Sequence, residues 1–307
     1  MELYFAPLEG ITTYIYRNTH AELFDGCDAY YAPFIVPTDN ERLSIKSLRD
    51  IVPENNAIKP KIQVMCTTWT AFCEFAEKVK TLGYNEVNLN LGCPSGTVVK
   101  KSRGSGALRD TEALDEMLGG VFQKNDVKIS IKTRTGFYSH DEFDKLLRIY
   151  AKYPLSKLIV HPRIREEYYK GEPNLESFNK AYEVLKEKLC YNGNIYTLKD
   201  YNKICGRFFG IQSVMIGRGA IRNPAIFREI KGGKSLATEE LIRFSNLLEN
   251  RYFELYDSER NTLHKLKEMW LYAITNYPDE TKIMKAVKKS NRLSELNSAI
   301  NSLPELR

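Results

Sequence analysis

The first three quarters of the chain alternate between short apolar segments and longer segments in which apolar residues recur at helical spacing. The short segments have the length and two-residue period of β-strands, whereas a longer segment such as 70–82 places Phe72, Phe75 and Val79 on one side of a helix. Strands that alternate with helices in this way predict a parallel (β/α)8 barrel, in which ligands bind where the strands end. The predicted strands are 2–7, 29–34, 61–65, 86–92, 127–134, 158–161, 189–195 and 213–220.

The pattern changes near residues 231–235, a glycine-containing stretch after which no further strand pattern occurs. Helical spacing then continues to residue 307. We therefore predict an α/β protein with two parts: a (β/α)8 TIM barrel over residues 1–234 and a small helical domain over residues 235–307.

The composition is typical of a globular protein, since 43% of the 307 residues are hydrophobic and 27% are charged. The sequence has no apolar run of the roughly 18 residues that span a bilayer and no signal-peptide pattern at its start, so we expect a cytoplasmic protein. Six cysteines and four histidines show no metal-ligand spacing, which predicts reduced thiols and no metal. A formal charge of +6 is compatible with a polyanionic partner but does not identify one.

Residues 86–109, EVNLNLGCPSGTVVKKSRGSGALR, contain the richest chemistry in the chain. Apolar residues alternate with Asn88 and Asn90, and Pro94 cannot donate to a strand ladder, so the strand ends near Cys93. The two amides point to one side, where they can recognise the edge of a heterocycle. A thiol on the following turn can act as a nucleophile, an acid or a ligand, or it can be a buried structural cysteine.

The sequence Asn-Leu-Gly-Cys-Pro, followed by Lys100, Lys101 and Gly-Ser-Gly-Ala-Leu, resembles the hallmark of the FMN-dependent tRNA-dihydrouridine synthases of bacterial type. Four further segments resemble that family in the same order. They are Ala-Pro-Leu-Glu-Gly-Ile-Thr at 6–12, Lys-Thr-Arg-Thr-Gly at 132–136, His-Pro-Arg at 161–163 with a later Tyr-Lys-Gly, and the glycine-rich ends of the last two strands. Departures from the family pattern occur at Leu8, Thr13, Pro162, Ile164, Asn194 and Arg222.

This resemblance spans nearly the whole chain and implies an oxidoreductase that reduces the C5–C6 double bond of specific uridines in tRNA. In the implied reaction, FMN delivers hydride from N5 to uracil C6, Cys93 protonates C5, and NADPH regenerates the reduced flavin. The thiol must keep its proton for this role. Which uridine is reduced, and whether NADPH or NADH is preferred, does not follow from the sequence.

Several polar residues at predicted strand ends have both a structural and a functional interpretation. Gln63 could be a satisfied core amide, Lys132 a lysine that reaches solvent, and His161 a core histidine. The resemblance implies instead that they contact the flavin. The full set implied to bind the cofactor is Pro7, Leu8, Glu9, Gln63, Asn90, Lys132, His161, Asn192, Gly193, Asn194, Gly217 and Arg218.

Positive residues recur at three- and four-residue spacing near the end of the chain, so on a helix they form one stripe opposite Ile283 and Val287. Such a stripe can be a solvated face or a clamp for the phosphates of RNA, and the resemblance favours tRNA. The residues predicted to bind RNA are Lys100, Lys101, Arg103, Arg163, Lys265, Lys282, Lys285, Lys289 and Arg292.

Three other functions are considered. A flavin barrel that acts on a free pyrimidine, as dihydroorotate dehydrogenases do, would have no use for a basic helical domain. An RNA-binding protein without catalysis would not need Cys93 and Lys132. A barrel that uses Lys132 to form a Schiff base would be trapped by borohydride with a carbonyl substrate. We expect a monomer.

Overall fold

The computed structural model describes residues 1–37, 44–278 and 280–306. In this part of the chain, eight parallel strands lie in the order β2-β1-β8-β7-β6-β5-β4-β3. Backbone bridges between Tyr31 and Lys61 and between Ile35 and Val64 join the two outer strands, so the sheet closes into the predicted barrel. The strands are β1 (Glu2–Phe5), β2 (Ala29–Tyr30), β3 (Ile62–Val64), β4 (Glu86–Leu91), β5 (Lys128–Gly136), β6 (Lys157–Ile164), β7 (Leu189–Tyr191) and β8 (Ser213–Ile216).

Helices connect successive strands and continue after β8. Side-chain caps set where several of them begin, because Thr68, Asp110, Asn174 and Ser258 each accept a hydrogen bond from a backbone N–H of the first helical turn. The α-helices of the described residues are α1 (Tyr14–Leu23), α2 (Ile45–Ile51), α3 (Trp69–Thr81), α4 (Gly96–Val99), α5 (Thr111–Lys124), α6 (Phe143–Ala151), α7 (Leu175–Leu185), α8 (Leu198–Arg207), α9 (Arg218–Arg222), α10 (Ile226–Ile230), α11 (Thr238–Tyr256), α12 (Glu259–Ala273), α13 (Glu280–Lys289) and α14 (Leu293–Asn301).

Most of the buried apolar side chains fill the layer between the strands and the surrounding helices. The inside of the barrel is divided differently. One half is apolar and comes from β1, β6, β7 and β8 together with the segment after β2: Tyr4, Ala6, Tyr31, Ile159, Cys190 and Met215. The other half, on β3, β4 and β5, is polar, with Gln63, Asn88 and Ser130 fully buried at neighbouring register positions.

The sixth strand is longer than the sequence predicts. Its pattern stops at His161, but β6 continues through Pro162 to Ile164. A register shift in the neighbouring strand, between Arg134 and Gly136, lies beside this extension. Such an irregularity tolerates a residue that cannot donate a hydrogen bond. The first, second, seventh and eighth strands are shorter than predicted, because their glycine- or proline-containing ends form loops at the barrel mouth.

The helices that follow residue 237 pack against the barrel through polar as well as apolar contacts. Lys265 Nζ on α12 donates to the carbonyl of Gly10, at 2.8 Å, and Arg251 on α11 donates to Thr19 Oγ1, at 2.7 Å. Arg222 Nε, at the end of α9, donates at 2.7 Å to Oδ1 of Asn276, a residue that follows α12. Among the described residues, no helix combines the length and the hydropathy that crossing a bilayer requires.

Candidate active site

A cavity of about 420 Å³ opens where the strands end. Eleven of the twelve predicted cofactor residues line it, and Cys93 lies in the same wall. The exception is Asn194, whose Oδ1 accepts hydrogen bonds from Arg163, at 3.2 Å, and Arg218, at 3.0 Å. Asn194 therefore orients Arg163 and Arg218 and does not line the cavity itself. The eleven that line it are Pro7, Leu8, Glu9, Gln63, Asn90, Lys132, His161, Asn192, Gly193, Gly217 and Arg218.

Cys93 lies on the turn between β4 and α4 and is held from both sides. Asn90 Oδ1 accepts hydrogen bonds from the N–H groups of Gly92 and Cys93, both at 3.0 Å. The Cys93 carbonyl accepts from the N–H and the hydroxyl of Ser105, at 3.0 and 2.9 Å. Burial raises the pKa of the Cys93 thiol above its ordinary value, so the thiol is protonated at neutral pH.

Lys132 brings a cation into the same cavity. Burial, and secondarily the charge of Arg134, lowers the pKa of Lys132 to about 8. Its Nζ has no hydrogen-bond or ion-pair partner among residues 1–37, 44–278 and 280–306, although it lines the cavity. A buried amine without a partner is costly to keep charged. Lys132 is therefore suited to a ligand that brings negative charge.

His161 is neutral, and its tautomer is fixed by a neighbour. Arg163 Nη1 donates to His161 Nε2, at 2.8 Å, so the imidazole proton lies on Nδ1. Burial and the nearby charges of Arg134 and Lys132 hold the pKa of His161 well below its ordinary value. His161 can thus offer a hydrogen-bond donor to a ligand without adding a charge.

The prediction that Arg163 binds RNA is wrong, because its side chain is 0% exposed. Besides its contact with His161, it donates to the carbonyls of Lys170 and Gly171. Alternation along β6 turns Arg163 to the same side as His161, two residues earlier. Had the strand been predicted to continue past Pro162, this orientation would have followed from the sequence.

Several residues of the cavity wall are not in the predicted set. Arg134 donates to the carbonyls of Gly92, Ile164 and Tyr168, at 2.8, 2.9 and 2.7 Å, and so links the loops after β4 and β6. The ring of Tyr169 lies on His161 with 6.0 Å between centroids. Lys132 and Arg134 are two residues apart on β5 and so face the same side, which means that the sequence could have indicated the position of Arg134. The loop tyrosines have no such signal, and neither do Phe34 and Tyr272, which also line the cavity.

The other predicted RNA-binding residues lie in two places. Lys100, Lys101 and the partly buried Arg103 follow the Cys93 turn. A basic stripe lies on α13 and at the start of α14, where Val287 is buried and the four cationic side chains are exposed: Lys282, Lys285, Lys289 and Arg292. Lys265 differs from these, since its Nζ is bonded to Gly10 and to Glu268.

The cavity fits an anionic aromatic cofactor such as FMN. It combines the Lys132 amine, which has no partner within 1–37, 44–278 and 280–306, with buried amides that can meet the edge of a heterocycle. Gly193 and Gly217 also line the cavity: a Cβ at Gly193 would lie 2.1 Å from the Tyr191 hydroxyl and one at Gly217 would lie 3.3 Å from Ala6 Cβ, so the packing of the wall leaves little room for a side chain at either position. In the described part of the chain, no group of three or more His, Cys, Asp or Glu side chains could hold a metal ion.

A family model described as dihydrouridine synthase (Dus) matches residues 4–302. The tRNA-dihydrouridine(16) synthase of Aquipseudomonas alcaligenes is 24% identical over 320 residues, which cover 99% of this chain and 100% of the relative. A probable tRNA-dihydrouridine synthase of Staphylococcus aureus (strain COL) is 27% identical over 259 residues, which cover 80% of this chain and 77% of the relative.

Among solved structures, morphinone reductase superposes with a TM-score of 0.51 at 12% identity, covering 76% of this chain and 86% of its own. At that identity the likeness concerns the fold alone. The family model, in contrast, matches nearly the whole chain and agrees with the five motifs in the sequence. The predicted resemblance is confirmed, and the chain belongs to the dihydrouridine synthase family.

Proposed function

We propose that this protein reduces specific uridines of tRNA to 5,6-dihydrouridine, with FMN as the bound cofactor and NADPH as the reductant, in the cytoplasm. The observation that carries the proposal is the cavity itself, where a protonated thiol, buried amides and a cation with no partner in the described part of the chain meet at the mouth of the barrel. The family and the names of the curated relatives support uridine in tRNA as the substrate.

Each residue of the cavity has a distinct part in this reaction. A bound flavin supplies the hydride that reduces the uracil ring. Cys93 supplies the proton, because burial keeps its thiol protonated and its turn is fixed by Asn90 and Ser105. Lys132 would offset negative charge on a bound flavin, and the Nδ1–H of His161 would be a neutral hydrogen-bond donor toward it.

The phosphate end of the cofactor would lie near the ends of β7 and β8. Gly193 and Gly217 both line the cavity there, and a barrel commonly binds phosphate after its last two strands. Arg218 lines the same part of the cavity and, unlike a backbone amide, adds a positive charge. Asn194 orients Arg218 through its Oδ1.

We assign residues 1–234 to cofactor binding and catalysis and residues 235–307 to tRNA binding. The exposed cations on α13 and at the start of α14, named here the basic stripe, would contact phosphates away from the reacting base. The target uridine must leave its stack to enter the cavity, which costs a few kcal/mol, and phosphate contacts would offset that cost.

Charge reversal of the basic stripe should weaken tRNA binding. The variant Lys282→Glu, Lys285→Glu, Lys289→Glu is expected to lose more than about tenfold in affinity and to reduce the slope of log Kd against log salt by about 2 to 3, because each lost phosphate contact removes the release of about one counterion. Filter binding or anisotropy over a range of salt concentrations measures both values.

The matched control reverses three exposed lysines at the opposite end of the barrel, near the starts of β5 and β7. The variant Lys124→Glu, Lys128→Glu, Lys188→Glu has the same change in net charge. It should retain at least half of the tRNA affinity. Equal losses in the two triple variants would show that tRNA responds only to net charge and would remove the basic stripe from the proposal.

The visible absorption spectrum of the purified protein, together with mass spectrometry of tRNA from cells lacking the gene, tests the whole proposal. A flavin spectrum and the loss of dihydrouridine at defined positions are the expected results, and the second also identifies the target uridine. If the protein contains flavin but tRNA from cells lacking the gene keeps all its dihydrouridine, the enzyme would act on free pyrimidines instead. A protein that binds no flavin would contradict the proposed mechanism.

A further inference from the structure

A continuous chain of hydrogen bonds runs through the polar half of the barrel interior. It begins at the amino-terminal ends of the strands, where Glu86 pairs with the partly exposed Lys61. Ser130 Oγ donates to Glu86 Oε1 at 3.3 Å, and Asn88 Nδ2 donates to Ser130 Oγ at 2.9 Å. These bonds carry the chain from the amino-terminal rim into the fully buried interior.

The chain then continues to the active site. Gln63 Nε2 donates to Asn88 Oδ1, and Asn90 Nδ2 donates to Gln63 Oε1, both at 2.8 Å. Asn90 Oδ1, in turn, accepts the N–H groups of Gly92 and Cys93. The outer carboxylate is thus connected through side chains to Asn90, which binds the backbone of the turn that carries the proposed acid.

All bonds of this chain point in one direction, and both of its ends require that direction. A carboxylate can only accept, so the Ser130 hydroxyl donates to Glu86 and accepts from Asn88. Asn88 then presents its oxygen to the next amide, and the order repeats to the cavity. At the far end two backbone N–H groups, which can only donate, need the oxygen of Asn90.

Burial makes the opposite direction costly. Gln63, Asn88 and Ser130 are fully buried, and the apolar half of the barrel fills the rest of the interior. If one amide were rotated by 180°, donor would face donor and oxygen would face oxygen, with no solvent to satisfy them. The orientation of each amide therefore depends on its neighbour.

We propose that Glu86 is a positioning residue for the active site: as an acceptor-only terminus, it sets the orientation of the Asn88, Gln63 and Asn90 amides and thereby the turn that carries Cys93. Gln63 and Asn90 line the cavity, so the same chain fixes which of their atoms a ligand meets. The catalytic part of this inference rests on the proposed function, whereas the structural part does not.

The test compares two variants that break the same ion pair. In Glu86→Gln, the Lys61 ammonium competes for the single amide oxygen, so the new NH₂ group turns toward Ser130 and offers a donor where an acceptor is needed. In Lys61→Gln, the ion pair is also lost, but the carboxylate still accepts from Ser130. Only the first variant changes the acceptor at the Glu86 end of the hydrogen-bond chain.

The first readout is alkylation of Cys93 by iodoacetamide in the full-length protein as purified. Because the protein has six cysteines, peptide mass spectrometry identifies the one that has reacted. Glu86→Gln is expected to accelerate alkylation of Cys93 by about three- to tenfold, which corresponds to the net weight of one hydrogen bond. Lys61→Gln should stay within about twofold of the unmodified sequence, since the carboxylate keeps its bond from Ser130 and loses only a partly exposed ion pair.

The second readout is steady-state kinetics with tRNA. Glu86→Gln should lower kcat by a similar factor and leave the KM for tRNA unchanged, and Glu86→Asp, which keeps an acceptor-only group, should recover part of kcat. If Glu86→Gln folds poorly, Ser130→Ala interrupts the chain at the next residue without a change in charge and should give the same acceleration.

Equal alkylation rates in Glu86→Gln and Lys61→Gln would overturn the inference. The alkylation assay requires neither tRNA nor turnover, so its result stands even if the proposed reaction fails. Conversely, a selective effect on alkylation with no dihydrouridine formed by any variant would support the positioning role and contradict the proposed function.

Discussion

Replacing Cys93 by alanine is expected to lower the single-turnover rate of dihydrouridine formation by about 10²- to 10⁴-fold, which is the usual contribution of a positioned acid. The loss should appear in the chemical step. The Kd for tRNA should change by less than about twofold, because the thiol is a small part of a cavity wall that several strands build. Rapid mixing of reduced enzyme with excess tRNA, quenched and analysed by mass spectrometry, measures the rate.

Cys205→Ser provides the matched control, since Cys205 is also partly buried but lies on α8, outside the cavity wall. Its rate should equal that of the unmodified protein. If Cys93→Ala reduced uridine at an unchanged rate, another group would have to donate the proton, and the central part of the mechanism would fail.

The pH dependence of the same step follows from the raised pKa of Cys93. The reactive form is the protonated thiol, which is present below its pKa and lost above it. Because burial moves that pKa upward, the rate should not decrease through neutral pH and should fall only in the alkaline range. A rate that already falls as the pH rises toward 7 would contradict this assignment, because the Cys93 thiol keeps its proton there.

Replacing Lys132 by methionine should abolish flavin binding and at the same time stabilise the flavin-free protein. Burial lowers the pKa of this lysine from its ordinary value of 10.5 to about 8, so its charge opposes folding at neutral pH. A tenfold change in proton affinity corresponds to about 1.4 kcal/mol, so methionine should raise the free energy of unfolding by up to about 3 kcal/mol at pH 7.

The pH dependence of stability provides a second test of the role of Lys132. Between pH 8 and 10.5 the unfolded chain holds a proton on Lys132 that the folded chain has released, so the stability of the unmodified flavin-free protein should rise with pH across that window. In Lys132→Met this rise should be absent. Urea unfolding at several pH values measures it, and flavin fluorescence measures binding.

Lys132→Arg is the appropriate comparison, because it keeps a positive charge but cannot release its proton in this range. It should bind flavin more strongly than Lys132→Met does and should lack the stabilisation. A methionine variant that bound flavin as tightly as the unmodified protein would exclude Lys132 from the cofactor site.

The sequence predicts the barrel mouth well because of a geometric property of parallel barrels. All strands end at the same rim, so a polar residue at a strand end must lie near the others, whatever the loops do. That is why Gln63, Lys132 and His161 could be placed together from three separate segments. The alternation along β4 likewise placed Asn88 and Asn90 on one common side, and both are buried.

The parts that were not predicted depend on contacts between segments distant in sequence. Arg163 was predicted to bind RNA because the apolar pattern of its strand ends at His161, whereas β6 continues to Ile164 beside an irregularity in β5. Tyr169 lies on a loop whose path no periodicity describes. The direction of the amide chain from Glu86 is also invisible in the sequence, since it depends on which hydrogen-bond partner each side chain meets across three strands.

Tyr272 has a consequence for the design of chimeras. It belongs to α12 but lines the cavity, in the same helix that binds the loop after β1 through Lys265. An exchange of residues 235–307 between relatives, made to redirect the enzyme to another uridine, would therefore also replace one wall of the reaction chamber. Chimeras should retain Tyr272 and Lys265 from the parent barrel, so that a change in target position can be separated from damage to the chemistry.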